Sequence, residues 1–159
     1  MEPSTSSDAP FERTVCACEG CRACCKRQPG SLRPGDYEAI VAFVERTQQM
    51  THDDAVAFVR SRLCASPGAL VKEMATGRTY RIGTITPRYR KGRCVFLDAN
   101  ERCEIHEAAP AGCAFFDTHM SQWTAMPRSQ WLATMQEDAT YQALRNTLPM
   151  AQHYKPFSY

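Results

Sequence analysis

The chain has 159 residues, of which 43% are hydrophobic and 23% charged, with a formal net charge of +2. This suits one ordinary domain with a modest core, and no apolar run is long enough to span a membrane. The small net charge names no partner by itself, whereas nine cysteines are many for this length, and their odd number and close packing fit a disulfide framework poorly.

Residues Met1 to about Thr14 are polar, with Phe11 the one aromatic, and contain no apolar segment of the signal-peptide kind. The expectation is a disordered tail over 1–14 in a protein of the reducing cytoplasm, where thiols stay available as metal ligands. A single domain is expected over 15–148, and a loosely docked tail over 149–159.

The domain opens on a cysteine stretch from Cys16 to Cys25. Its core places Cys18, Cys21, Cys24 and Cys25 in the spacing C-x-x-C-x-x-C-C. Each C-x-x-C step sets two sulfurs where one metal ion can sit between them, and Gly20 allows the tight bend. Cys24 and Cys25 are adjacent, so their side chains point apart. They suit two metals, or two corners of one cluster, better than one ion. A turn-rich exit follows through Pro29-Gly30 and Pro34-Gly35.

Behind an N-cap at Asp36, Tyr37, Ile40, Val41 and Val44 recur at helical spacing, which predicts a helix to about Gln48. Thr51 is expected to cap a second helix, with His52, Val56, Val59 and Leu63 on one face, Phe58 beside it, and Ser66-Pro67-Gly68 as its end. His52 is expected to sit in the first turn with no special role. Cys64, read at that helix's end, is better explained as a small buried hydrophobe than as a ligand. Arg78–Pro87, with Tyr80, Ile82, Ile85 and three threonines, reads as a strand.

Cys94–Asp98 and Arg102–His106 read as two strands around the turn Asp98–Glu101. A register pairing 94 with 105 and 96 with 103 puts Cys94 and Cys103 on one face, flanked by Phe96 and Ile105. That hairpin supplies the second half of the metal site. Cys113 follows in a short turn or helical segment, with Phe115 and Phe116 as apolar cover. A long helix is expected from about Arg128 to Leu148, with Pro127 at its first position.

The candidate ligands are therefore Cys18, Cys21, Cys24, Cys25, Cys94, Cys103 and Cys113, with His106 as an eighth. Four ligands close one tetrahedral zinc site. Seven or eight suit two zinc ions or an iron–sulfur cluster, so more than one metal ion is expected, and the residues do not choose between zinc and iron. The site is read as structural or chelating, since closed all-cysteine sites hold domains together. A second feature is basic: Arg78, Arg81, Arg88, Arg90, Lys91 and Arg93, interleaved with Tyr80 and Tyr89. Such a run can grip nucleic acid, but a solvated hairpin face explains it more simply at this net charge. No hydrolase elbow, phosphate loop or dinucleotide fingerprint is present.

Cys18-x-x-Cys21-x-x-Cys24-Cys25, the Pro-Gly-Asp36 helix start, Gly92-Arg-Cys94-Val-Phe-Leu, Cys103-x-Ile and Pro110-x-x-Cys113-x-Phe together resemble the YkgJ-type, or CxxCxxCC, cysteine-cluster family, over about Cys18 to Phe116. The resemblance implies a zinc- or iron-chelating domain ligated by the seven thiols. Because the family includes a flagellin lysine N-methylase, it also implies an alternative: a metal- or cluster-dependent enzyme with a protein-modifying activity. The chain departs from the family pattern in having His106 where Tyr is usual, Ala109 where Arg precedes the proline, and Ala114 where Arg often follows the last cysteine. The expected fold class is α+β, with the cysteine loop and an antiparallel hairpin clamped around the metal and helices packed about them. The expected partners are metal ions, with no membrane and no protein partner identified.

Overall fold

The computed structural model describes residues 9–13, 30–73, 75–116 and 120–151, with the backbone alone at 69–71. The fold is α+β: five α-helices and two small antiparallel sheets are present among the described residues. Helix α1 spans Asp36–Thr47 and buries Ile40, Val41 and Val44, the stripe its 3.6-residue period requires. Its N-cap is Gly35 at φ 92, not Asp36, which is the first helical residue. The Asp36 carboxylate instead joins two distant segments, its Oδ2 accepting from the Arg33 N–H at 2.9 Å and the Ala111 N–H at 2.8 Å.

Helix α2, His52–Arg60, starts where Thr51 accepts from the Asp54 N–H at 3.2 Å. It ends well before Ser66-Pro67-Gly68. That triplet lies inside strand β1, Leu63–Lys72, which pairs antiparallel with β2, Thr79–Pro87. The register shifts between Ser66 and Ala69, so a bulge holds Pro67 and the left-handed Gly68 within the strand. The chain also returns beside β1, where Met150 bridges Ala65 in parallel.

The hairpin register differs from expectation. Strands β3, Tyr89–Arg90, and β4, Arg93–Cys94, pair with each other, so Cys94 stands opposite Tyr89. The turn between them has φ 51 at Lys91 and 76 at Gly92, the left-handed pair that a two-residue I′ turn demands. Downstream, an isolated bridge joins Leu97 to Cys103 in place of Phe96. The physical cause of this one-residue slip is the Asp98 carboxylate, whose Oδ1 takes the N–H groups of Asn100 and Arg102 at 2.8 and 2.9 Å and closes a tight loop.

After a 3₁₀ turn at His106–Ala108 come α3, Ala111–Ala114, α4, Gln122–Met135, and α5, Ala139–Arg145. The single helix expected over 128–148 is therefore two. Asp138 starts the second by accepting from the Tyr141 N–H at 2.9 Å. Pro127 lies inside α4, not at its start, which Ser121 caps. The carbonyl that Pro127 leaves without an N–H belongs to Trp123, a residue 84% exposed, so water can satisfy it.

The main core joins Leu32, Ile40, Val44, Val59, Leu63, Ile85, Phe96 and Ile105. A smaller cluster joins Ala111, Ala114, Phe115 and Leu132, with Phe11 and Trp131 packed against it. Residues 9–13 reach this second cluster through the Phe11 ring, edge-on to Trp131 at 5.8 Å.

Candidate metal centre

Cys113 is the best-defined candidate ligand. It lies in α3, whose first N–H, from Ala111, is held by Asp36 at the start of α1. The segment leaving the cysteine stretch lies directly on this helix. Gly112 donates to the Ser31 carbonyl at 2.9 Å, and the Gly30 N–H donates to Cys113 Sγ at 3.2 Å. Such closeness requires two glycines, because a Cβ on Gly30 would strike the Gly112 backbone and one on Gly112 would strike Ser31. A backbone N–H aimed at sulfur stabilises negative charge there, and the thiolate is the form that ligates metal.

Cys94 and Cys103 border the main core. Cys94 is buried in β4, while Cys103 is half-buried and packs against the same cluster. Leu97 ties the two together, since its N–H donates to the Cys94 carbonyl at 3.1 Å and it stands opposite Cys103. Phe96 and Ile105, expected beside the sulfurs, are fully buried core residues. His106 opens the 3₁₀ turn with its side chain exposed, and its carbonyl accepts from Arg13 Nη2 at 3.1 Å. The strand has ended before it, so strand alternation does not fix its direction.

Cys64 is a different kind of thiol. It is buried in β1 with Sγ 3.5 Å from Thr86 Oγ1 and 3.6 Å from the Thr86 carbonyl. Burial pushes its pKa up, with the Thr86 hydrogen bond and the Arg88 charge pulling the other way. That is the setting of an unreactive core thiol.

Cys16, Cys18, Cys21, Cys24 and Cys25 lie outside the described residues. Among the described residues, no three His, Cys, Asp or Glu side chains come together to hold a metal ion. Cys94, Cys103 and Cys113 therefore do not make a site on their own among the described residues, and the expected clamp needs ligands from outside them. Reading the cysteines alone overlooks the residues that place them: Gly30, Gly112 and Asp36. The glycine beside Cys113 and the one leaving the cysteine stretch are visible in the sequence, but their mutual contact is not.

A family model described as "CxxCxxCC: Putative zinc- or iron-chelating domain" matches residues 17–131. No curated protein and no solved structure matches the chain. No helix among the described residues is long and apolar enough to cross a membrane.

Proposed function

The chain belongs to the CxxCxxCC family, whose domain is described as zinc- or iron-chelating, and from that premise we propose that it holds zinc or iron through thiolates from both ends of the domain. Cys18, Cys21, Cys24 and Cys25 supply one half of the donor set, and Cys94, Cys103 and Cys113 the other, with His106 as a further candidate. Seven thiolates exceed the four of one closed tetrahedral site, so the centre is binuclear or an iron–sulfur cluster, with a structural or chelating role.

The observation that supports this reading is the Gly30–Cys113 contact, an N–H to sulfur bond of 3.2 Å. Five peptide steps separate Gly30 from Cys25, at most ~18 Å of extended chain. Chain length thus allows Cys25 to reach the third downstream thiol. The donor chemistry fits as well, since soft thiolates select zinc and iron over hard cations. Cys64 stays outside the set because its sulfur is engaged with Thr86.

The test is metal content per chain, measured on protein purified without oxygen from cells supplied with zinc and iron. Wild type is expected to carry stoichiometric metal, Cys113→Ser to carry less, and Cys64→Ser to match wild type. Wild-type protein without stoichiometric metal, or full loading in Cys113→Ser, would contradict the reading.

A further inference from the structure

Charge is unevenly distributed along this chain. Residues 62–102 hold nine Lys or Arg against three Asp or Glu, a net of +6 in a chain whose total is +2. The densest part is the β3–β4 hairpin, where Arg90, Lys91 and Arg93 occupy three of four consecutive positions. Arg90 and Arg93 stand directly opposite each other across the pair. Like charges in that position repel and destabilise a hairpin. Lys91, at φ 51, adds a cation in a backbone conformation that favours glycine or asparagine. Three local choices thus work against the stability of one small turn.

No ion pair to the densest part of this charge is seen among the described residues, where no carboxylate lies within salt-bridge distance of Arg62, Arg88, Arg90, Lys91 or Arg93. Asp98, an acid next in sequence, turns its carboxylate onto its own loop. Arg88 and Arg93 are instead anchored by backbone, Arg88 Nε on the Leu63 carbonyl at 3.2 Å and Arg93 Nη2 on the Asp98 carbonyl at 2.6 Å. Arg90 and Lys91 are exposed.

Arg62 adds a second kind of contact. Its carbonyl accepts from the Arg88 N–H at 2.8 Å, which places it at the foot of the hairpin. Its guanidinium lies over the Phe58 ring, 3.4 Å from the centroid, and donates to the Phe58 carbonyl at 3.1 Å. Arg62 is half-buried as a residue, and a guanidinium plane is a shape on which a base can stack.

We propose that the β3–β4 hairpin together with Arg62 forms a binding surface for single-stranded nucleic acid. Arg90, Lys91 and Arg93 contact successive phosphates, and Arg62, backed by Phe58, stacks on a base. An acidic peptide would use the charges but not the plane, so the stacked Arg62 favours nucleic acid. The surface does not depend on which metal the chain holds.

The experiment is fluorescence anisotropy with a labelled 20-mer of oligo(dT) or oligo(rU), on metal-loaded protein, between 50 and 200 mM salt. Three phosphate contacts on a single strand give a log–log salt slope near −2, or a loss of about 20-fold over that range. Arg90→Ala with Lys91→Ala alters exposed side chains only and, since it removes the repulsion between Arg90 and Arg93, is expected to melt no lower than wild type. It should bind at least tenfold more weakly at 50 mM salt, with a slope shallower by about 1.4. Arg62→Lys keeps the charge and loses the plane, so about fivefold weaker binding with an unchanged slope is expected. Absence of binding at 50 mM salt, wild-type affinity in the double variant, or equal affinity for poly-glutamate would each overturn the proposal. Wild-type affinity in Arg62→Lys would overturn the stacking role of Arg62.

Discussion

Asp36 joins segments 75 residues apart, with Arg33 and Ala111 both donating to it. Burial raises its pKa above 3.8, with those hydrogen bonds and the Arg33 charge pulling the other way. Between 3.8 and that raised value the folded chain binds more protons than the unfolded chain, so the stability Asp36 contributes falls as pH rises through the window. Asp36→Asn sets an amide against Arg33 Nε and should cost about 2 kcal/mol. Its deficit should be larger at pH 4 than at pH 7, read from paired urea melts in which any effect of metal loss common to both proteins cancels. A deficit that grows toward pH 7 would refute this. Tyr141 is a second such residue. Its hydroxyl accepts from the Ile85 N–H at 2.7 Å and donates to the Leu32 carbonyl at 2.8 Å, deep in the core. Tyr141→Phe leaves that N–H buried without an acceptor and should cost about 2 kcal/mol in a thermal melt. The apolar stripe of Ile40, Val41 and Val44 was legible because its period is local. The role of Asp36 was not, since an aspartate before a helix looks the same whether it caps that helix or bridges to a distant one.

At the level of elements, the decisive contact is α3 against residues 30–31. Gly112→Ala would drive a methyl into the Ser31 backbone. The expected result is a loss of about 2 kcal/mol from overpacking, together with reduced metal content as Gly30 moves off Cys113. Unchanged metal content would separate the glycine contact from ligation. The β3–β4 turn makes the opposite expectation. Lys91→Gly relieves a left-handed lysine and should stabilise the fold by about 1 kcal/mol in denaturant titration. Helix α2 and strand β2 were legible from Thr51 and from the Tyr80–Ile85 alternation. The hairpin is half legible: the sequence marks Asp98–Glu101 as a turn, but the register depends on the Asp98 side chain and on the competing Lys91–Gly92 turn. Pro67-Gly68 looks like a stop in the sequence because a bulge that absorbs both residues leaves no distinct local signal.

Across the whole molecule, α+β composition followed from the mixture of periodicities, while the meeting of the two apolar clusters did not. They adjoin through residues 30–36, where Leu32 enters one cluster and Arg33 stacks near Phe115 and Trp131 at 5.7 and 5.5 Å. That junction follows the cysteine stretch in sequence, so on the proposed reading metal bound there would be coupled to the packing of both clusters. Removing it with a chelator under reducing conditions should lower the melting temperature by on the order of 10 °C, and an unchanged melting curve would contradict a structural role. X-ray absorption at the zinc and iron edges, on protein purified without oxygen, tests thiolate ligation most directly. The expected result is a first shell dominated by sulfur at about 2.3 Å, diminished in Cys113→Ser. A first shell of nitrogen and oxygen alone would contradict metal binding by the cysteines.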